Sequence, residues 1–174
     1  LALASLVLRG GERVTLLGTG VPPSYGRAVL SRLALQLERE TSGDLPAIEV
    51  LPRHGQIVMI GDLLAKLEDI ERTVARFAAM GLKGHLLQVL DPAEETLPFD
   101  GRVRFEGLEQ EDSLLISRVE TIRTQYTDRL ARHRAGLTAI ARAAGWRFAT
   151  HRTDRPPHTA LLSLYTALSA DVGK

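Results

Sequence analysis

Residues 56–62 read QIVMIGD, a near-continuous apolar run of strand length closed by a glycine and an acid. A strand that is apolar at every position has no wet face, so it belongs inside a sheet covered on both sides. The next stretch has a helical period instead. Across residues 67–80, Leu67, Ile70, Val74, Phe77 and Ala78 share one helical face. Gly81 and Gly84 close that helix and admit a second buried run, HLLQVL at 85–90, ended by Asp91 and Pro92. Strand, amphipathic helix and strand in this order predict a parallel pair joined by a crossover helix.

The alternation continues in both directions. Upstream, residues 13–17 (RVTLL) are predicted as a strand closed by Gly18, Gly20, Pro22 and Pro23. A helix over 1–8 precedes it, and a helix over about 27–40 follows. Downstream, Val119, Ile122, Tyr126, Leu130, Leu137 and Ile140 fall three, four or seven apart and predict one long helix over 119–144, with Gly136 a weak point but not a stop. Gly145 ends it, WRFAT at 146–150 is the next strand, and Pro156 and Pro157 open a last helix. Residues 102–105 and 114–117 alternate polar and apolar around a polar stretch at 109–113, which predicts a hairpin inserted at the sheet edge. The expected fold is therefore α/β: a mostly parallel, doubly wound, Rossmann-like sheet with helices on both faces. With 174 residues and no linker in view, one domain over 1–174 is expected.

Composition narrows the chemistry. Apolar residues make up 44% and charged residues 25%, the balance of a folded globular domain. The absence of cysteine removes disulfides, thiolate nucleophiles and zinc ribbons together. The longest late stretch without a charge, 156–170, is too short and too polar to span a bilayer, and a cytoplasmic location is expected. Net charge is +1 but unevenly placed: residues 1–117 hold 12 Lys/Arg against 17 Asp/Glu, and residues 118–174 hold 10 against 4. The basic part reads first as a solvated arginine-rich helix face, with nucleic-acid binding the second alternative.

Ligands of open parallel sheets bind beyond the carboxyl ends of the strands. The residues there are Thr19 and Ser24 after the first predicted strand, Asp62 after the second, Asp91 and Glu94 after the third, and His151, Thr153 and Asp154 after the last. Their hard oxygens suit Mg²⁺ or Ca²⁺. Asp62 leads the set because a buried strand holds it; its competing reading is an N-cap for the next helix. Asp91 and Asp154, beside or near prolines, read first as turn formers. Gly18 and Gly20 open a glycine-rich loop, but Pro22 and Pro23 stand where a third glycine or a lysine would be needed, which removes a phosphate loop. His54, His85, His133, His151 and His158 form no H-E-x-x-H pair, and no serine sits in a G-x-S-x-G elbow.

Four runs carry a family resemblance: IVMIGDLL (57–64), GHLLQVLDPAEETLPFDGRVRFEG (84–107), YTDRLARHRAGL (126–137) and GWRFATHRTDRPPHTALLSLYTAL (145–168). Across essentially the whole chain the sequence resembles bacterial proteins carrying the domain of unknown function 58, a family similar to von Willebrand factor A domains. The resemblance implies a doubly wound sheet with a metal-ion-dependent adhesion site at its strand tips, where a D-x-S-x-S strand, a threonine and a later aspartate hold Mg²⁺. Asp62 matches the later aspartate, and Ser24 is a weak positional match to the threonine. The D-x-S-x-S strand has no counterpart here. The apolar opening at Leu1 reads as the start of a fragment truncated at its N-terminus, so a metal-free fragment is expected, with Mg²⁺ reserved for the intact protein. A missing central strand also leads to an expected homodimer or domain swap. The resemblance further implies a non-enzymatic protein-interaction or adaptor role, partnered by a MoxR-type AAA+ ATPase. A metal-dependent hydrolase using Asp62, Asp91 and Asp154 is the first alternative.

Overall fold

The computed structural model describes residues 1–39, 45–105 and 114–172. Its centre is a three-stranded parallel sheet in the order β1 (Gln56–Gly61), β2 (Lys83–Leu90), β5 (Arg147–Arg152). Ile57 pairs with Gly84 and Met59 with Leu86 on one side of β2; Leu86 pairs with Phe148 and Gln88 with Thr150 on the other. As the central strand, β2 is buried from Gly84 to Gln88, which is why its sequence lacks alternation. The three runs taken from the sequence as strands 56–60, 85–90 and 146–150 are thus parallel neighbours.

Helices cover both faces. On one, α3 (Leu67–Ala79) sets Ile70, Val74 and Phe77, spaced four and three apart, against Ile57, Met59 and Leu86, while α5 (Arg123–Ala143) adds Leu137, Ile140 and Ala141. On the other, α6 (Pro157–Val172) runs from the end of β5 across Leu87 and Ala149 to the start of β1, where Gln56 Nε2 donates to the Leu168 carbonyl at 3.1 Å. Helix α1 (Ala2–Arg9) packs on α6, and α2 (Ala28–Arg39) buries Val29 and Leu33.

One close approach fixes the join between β2 and β5. A Cβ built on Gly84 would stand 2.2 Å from the Trp146 indole, and that ring is held by its Nε1–H donating to the Leu82 carbonyl at 3.0 Å. Only glycine leaves room for the ring there.

Three expectations change. Residues 13–17 do not form a strand: Val14 makes a single antiparallel bridge with Ser24, and a turn begins at Leu17. Thr15 Oγ1 donates to the Val21 carbonyl at 2.6 Å and Thr19 Oγ1 to the Leu16 carbonyl at 2.8 Å, side-chain bonds that divert this backbone from a ladder. The long helix expected over 119–144 begins late, because Val119 N–H donates to the Gly101 carbonyl and Gly101 N–H to the Glu120 carboxylate. Those bonds hold Val119–Thr121 as a separate 3₁₀ turn before α5. A short helix, α4 (Pro92–Thr96), stands where only a turn was expected. The hairpin forms as expected, β3 (Val103–Phe105) against β4 (Leu114–Ile116), but as its own two-stranded sheet; the polar stretch 109–113 lies outside the described residues.

Candidate functional site

The carboxyl ends of β1, β2 and β5 form one rim, and a hydrogen-bonded network joins its parts through the fully buried Gln88 on β2. Gln88 Nε2 donates to the Asp62 carbonyl at 2.8 Å, and Gln88 Oε1 accepts from Arg134 Nε at 3.0 Å. Arg134, on α5, pairs with Glu95 of α4 at 2.5 Å. The other Glu95 oxygen lies 3.5 Å from Arg152 Nε, and Arg152 also pairs with Asp154 at 3.0 Å. Both ends of the glutamine amide are satisfied, as burial of so polar a group requires.

Asp91 caps α4. Its Oδ1 accepts from Ala93 N–H at 2.8 Å, and its own N–H donates to Glu94 Oε2 at 2.9 Å, the reciprocal bonds of a capping box. Its second oxygen accepts from Thr153 Oγ1 at 2.7 Å across the β2–β5 gap. The Ala93 amide, then the Thr153 hydroxyl and the Arg152 charge, stabilise the carboxylate and hold Asp91 below its ordinary pKa. Tyr126 O–H donates to the Glu94 carbonyl at 2.6 Å; burial, then the nearby Glu94 charge, raises its pKa.

Asp62 is placed differently. It does not cap α3, whose N-cap is Lys66. Instead its Oδ1 accepts from Leu64 N–H at 3.1 Å, closing a turn in which Leu63 has a φ of 52°. Leu63 is only 7% exposed, and its carbonyl lies 2.7 Å from a His133 ring nitrogen. Ile60 and Leu64, on either side, are 56% and 49% exposed.

The rim thus brings together Asp91, Glu94, Thr153 and Asp154, with Asp62 at its β1 end. His151, in register with Val89, lines instead a cavity of about 270 Å³ between β2, β5 and α6. Thr19 and Ser24 follow no strand of the sheet; they belong to a loop in which Ser24 Oγ accepts from the Arg32 guanidinium. That arrangement does not fit a divalent cation. The Ser24 hydroxyl already faces a cation, and among the described residues no three His, Asp or Glu side chains converge as a metal-binding group. Asp62 and Asp154 follow the two outer strands, with β2 between those strands. Within the basic part of the chain, Arg123, Arg134 and Arg152 are paired with Asp100, Glu95 and Asp154.

Sequence reading missed Gln88, Glu95, Arg134 and Arg152. A signal for Gln88 was present, since a lone amide inside HLLQVL must find partners when buried. The D-P-A-E string at 91–94 likewise carries the spacing of a capping box behind a proline.

Among the described residues no helix is long and apolar enough to cross a membrane. No curated protein and no solved structure matches the chain. The family model described as "Protein of unknown function DUF58" matches residues 1–136. With more than three quarters of its length matched, and the parallel sheet and rim described above, this chain belongs to the DUF58 family.

Proposed function

We propose that this chain is a non-enzymatic, cytoplasmic adaptor module of von Willebrand factor A-like kinship, docking a protein partner on the carboxyl rim of its sheet. The supporting observation is the contrast along that rim. Asp91, Glu95 and Asp154 are engaged with Thr153, Arg134 and Arg152, whereas among the described residues no side chain engages the Asp62 carboxylate, and Ile60 and Leu64 near it at the β1 end are exposed. Carboxylates already bonded to neighbours are poorly placed to activate water, which weighs against the hydrolase reading. Exposed aliphatic side chains clustered around a charge are the composition of a contact surface.

The partner class we favour is a MoxR-type AAA+ ATPase, on the strength of the family resemblance. Co-purification of the full chain with that ATPase tests the proposal. Wild type is expected to be retained, and Ile60→Ser with Leu64→Ser to reduce retention about ten-fold, the loss of roughly 1–2 kcal/mol of apolar contact. Undiminished capture by the double variant contradicts the placement of the surface. Absence of capture by the wild type contradicts the choice of partner.

A further inference from the structure

We infer that the cavity beneath α6 is a binding site for a small monocarboxylic acid with an unbranched apolar body, its carboxylate held at the His151 end. The inference stands apart from the docking surface, because it uses the β5 side of the sheet and none of the residues at the β1 end of the rim.

The cavity follows from small side chains meeting across a layer. Leu87 of β2 pairs with Ala149 of β5, and α6 contributes Ala160 and Ala167 to the same space. Those three alanines leave about 270 Å³ unfilled, where a packed interior holds few voids larger than a water. Leu87 and Leu164, both buried, form its apolar wall, while Ala149, Thr159 and Ser163 are exposed and mark its mouth. A concave apolar space with a few polar groups at its edge is the usual form of a small-molecule site. Its lining runs along β5 from Arg147 to His151 and along α6 from Thr159 to Ala167, each about 12 Å at the usual rises. Spread over that length, the volume is a narrow slot that suits an extended chain. On the scale where about 150 Å³ takes benzene, it accommodates about ten non-hydrogen atoms.

The walls select an acid. His85, Arg147 and His151 line the cavity, and among the described residues no carboxylate does. His85 and Arg147 have interactions of their own, whereas among the described residues the His151 ring and the Thr159 and Ser163 hydroxyls make no hydrogen bond or ion pair. Ser163 follows Thr159 by one helical turn, so both hydroxyls share the side of α6 that borders the slot. One imidazole and two hydroxyls are donors enough for a single carboxylate. An amine would meet only basic groups there.

The test titrates octanoate, 1-octanol and acetate into the isotope-labelled full chain. Octanoate is expected to shift the amide resonances of residues 149–151 and 159–164 saturably and to bind about ten-fold more tightly than 1-octanol, with acetate leaving them unmoved at the same concentration. His151→Ala should remove that preference while 1-octanol still binds. Ala160→Leu fills the slot and should abolish octanoate binding while the thermal unfolding temperature holds or rises. If Ala160→Leu fails to fold, Ser163→Leu at the exposed mouth gives the same readout. Absence of saturable shifts at 149–151 and 159–164 overturns the inference, and so does octanoate binding that survives filling of the slot. Equal affinity for 1-octanol, or equal shifts with acetate, overturns the class of ligand assigned to it.

Discussion

Leu63 is the residue whose conformation its type least announces. A leucine with φ of 52° costs about 1–2 kcal/mol of backbone energy, while burying its side chain returns about 2–3 kcal/mol. Packing wins, which gives a testable inversion. Glycine ordinarily destabilises a site relative to alanine; here Leu63→Gly should be more stable than Leu63→Ala by about 1 kcal/mol, because both lose the same packing and only glycine sheds the strain. Urea denaturation of the two variants measures the difference, and the usual order contradicts the left-handed turn. Nothing in LLAK at 63–66 signals a positive φ, so this feature was not legible in the sequence, whereas Asp62 was, as an acid behind a buried strand. Asp91 offers a second residue-scale test. Because its folded pKa is depressed, the stability it contributes is present above its unfolded value and is lost as pH falls through the lower, folded one. Thr153→Val removes one of the bonds behind that depression. The Asp91 pKa, followed by carboxyl NMR, should rise toward the ordinary range, and acid unfolding should begin at a higher pH.

At the scale of elements, burial imposed the patterns that marked β2 and α3 and, at Ile57 and Met59, β1, whereas β5 has no fully buried residue and was marked by Gly145 and its composition. Where side-chain bonds to backbone decided the outcome, the pattern misled. Residues 13–17 have strand composition, but the Thr15 and Thr19 hydroxyls take backbone carbonyls and the segment turns. Helix α4 was hidden for a related reason, since its capping box looks like turn chemistry until the helix is seen. The junction of β2 with β5 depends on Gly84. Gly84→Ala places a methyl inside the Trp146 ring volume and should destabilise the chain by about 3 kcal/mol, combining overpacking with loss of the indole hydrogen bond. A thermal shift of less than one degree would show that the ring can move aside. Gln88 couples elements far apart in sequence. Gln88→Leu leaves the Asp62 carbonyl and Arg134 Nε without their buried partner, so hydrogen exchange is expected to rise together in 61–64 and in α4. A rise in one alone would break the network reading.

Over the whole molecule, the layered order α3 and α5, sheet, α6 with α1 was within reach of the sequence, because continuous apolar strands between amphipathic helices have few other solutions. The proposed docking surface was only half visible. Sequence placed a row of acids and hydroxyls at the strand ends; tertiary structure then bonded Asp91 to Thr153 and Asp154 to Arg152, while the Asp62 carboxylate meets only the Leu64 amide among the described residues. That separation depends on partners 26 to 62 residues away, such as Gln88 with Asp62 and Thr153 with Asp91, which no local window contains. The most direct test of a docking surface at the β1 end of the rim is hydrogen–deuterium exchange of the full chain with and without the MoxR-type ATPase. Added protection is expected at residues 56–64, the strand and turn that carry Ile60, Asp62 and Leu64. Protection confined to α2, the β3–β4 hairpin or the exposed side of α5, with 56–64 unchanged, would contradict it.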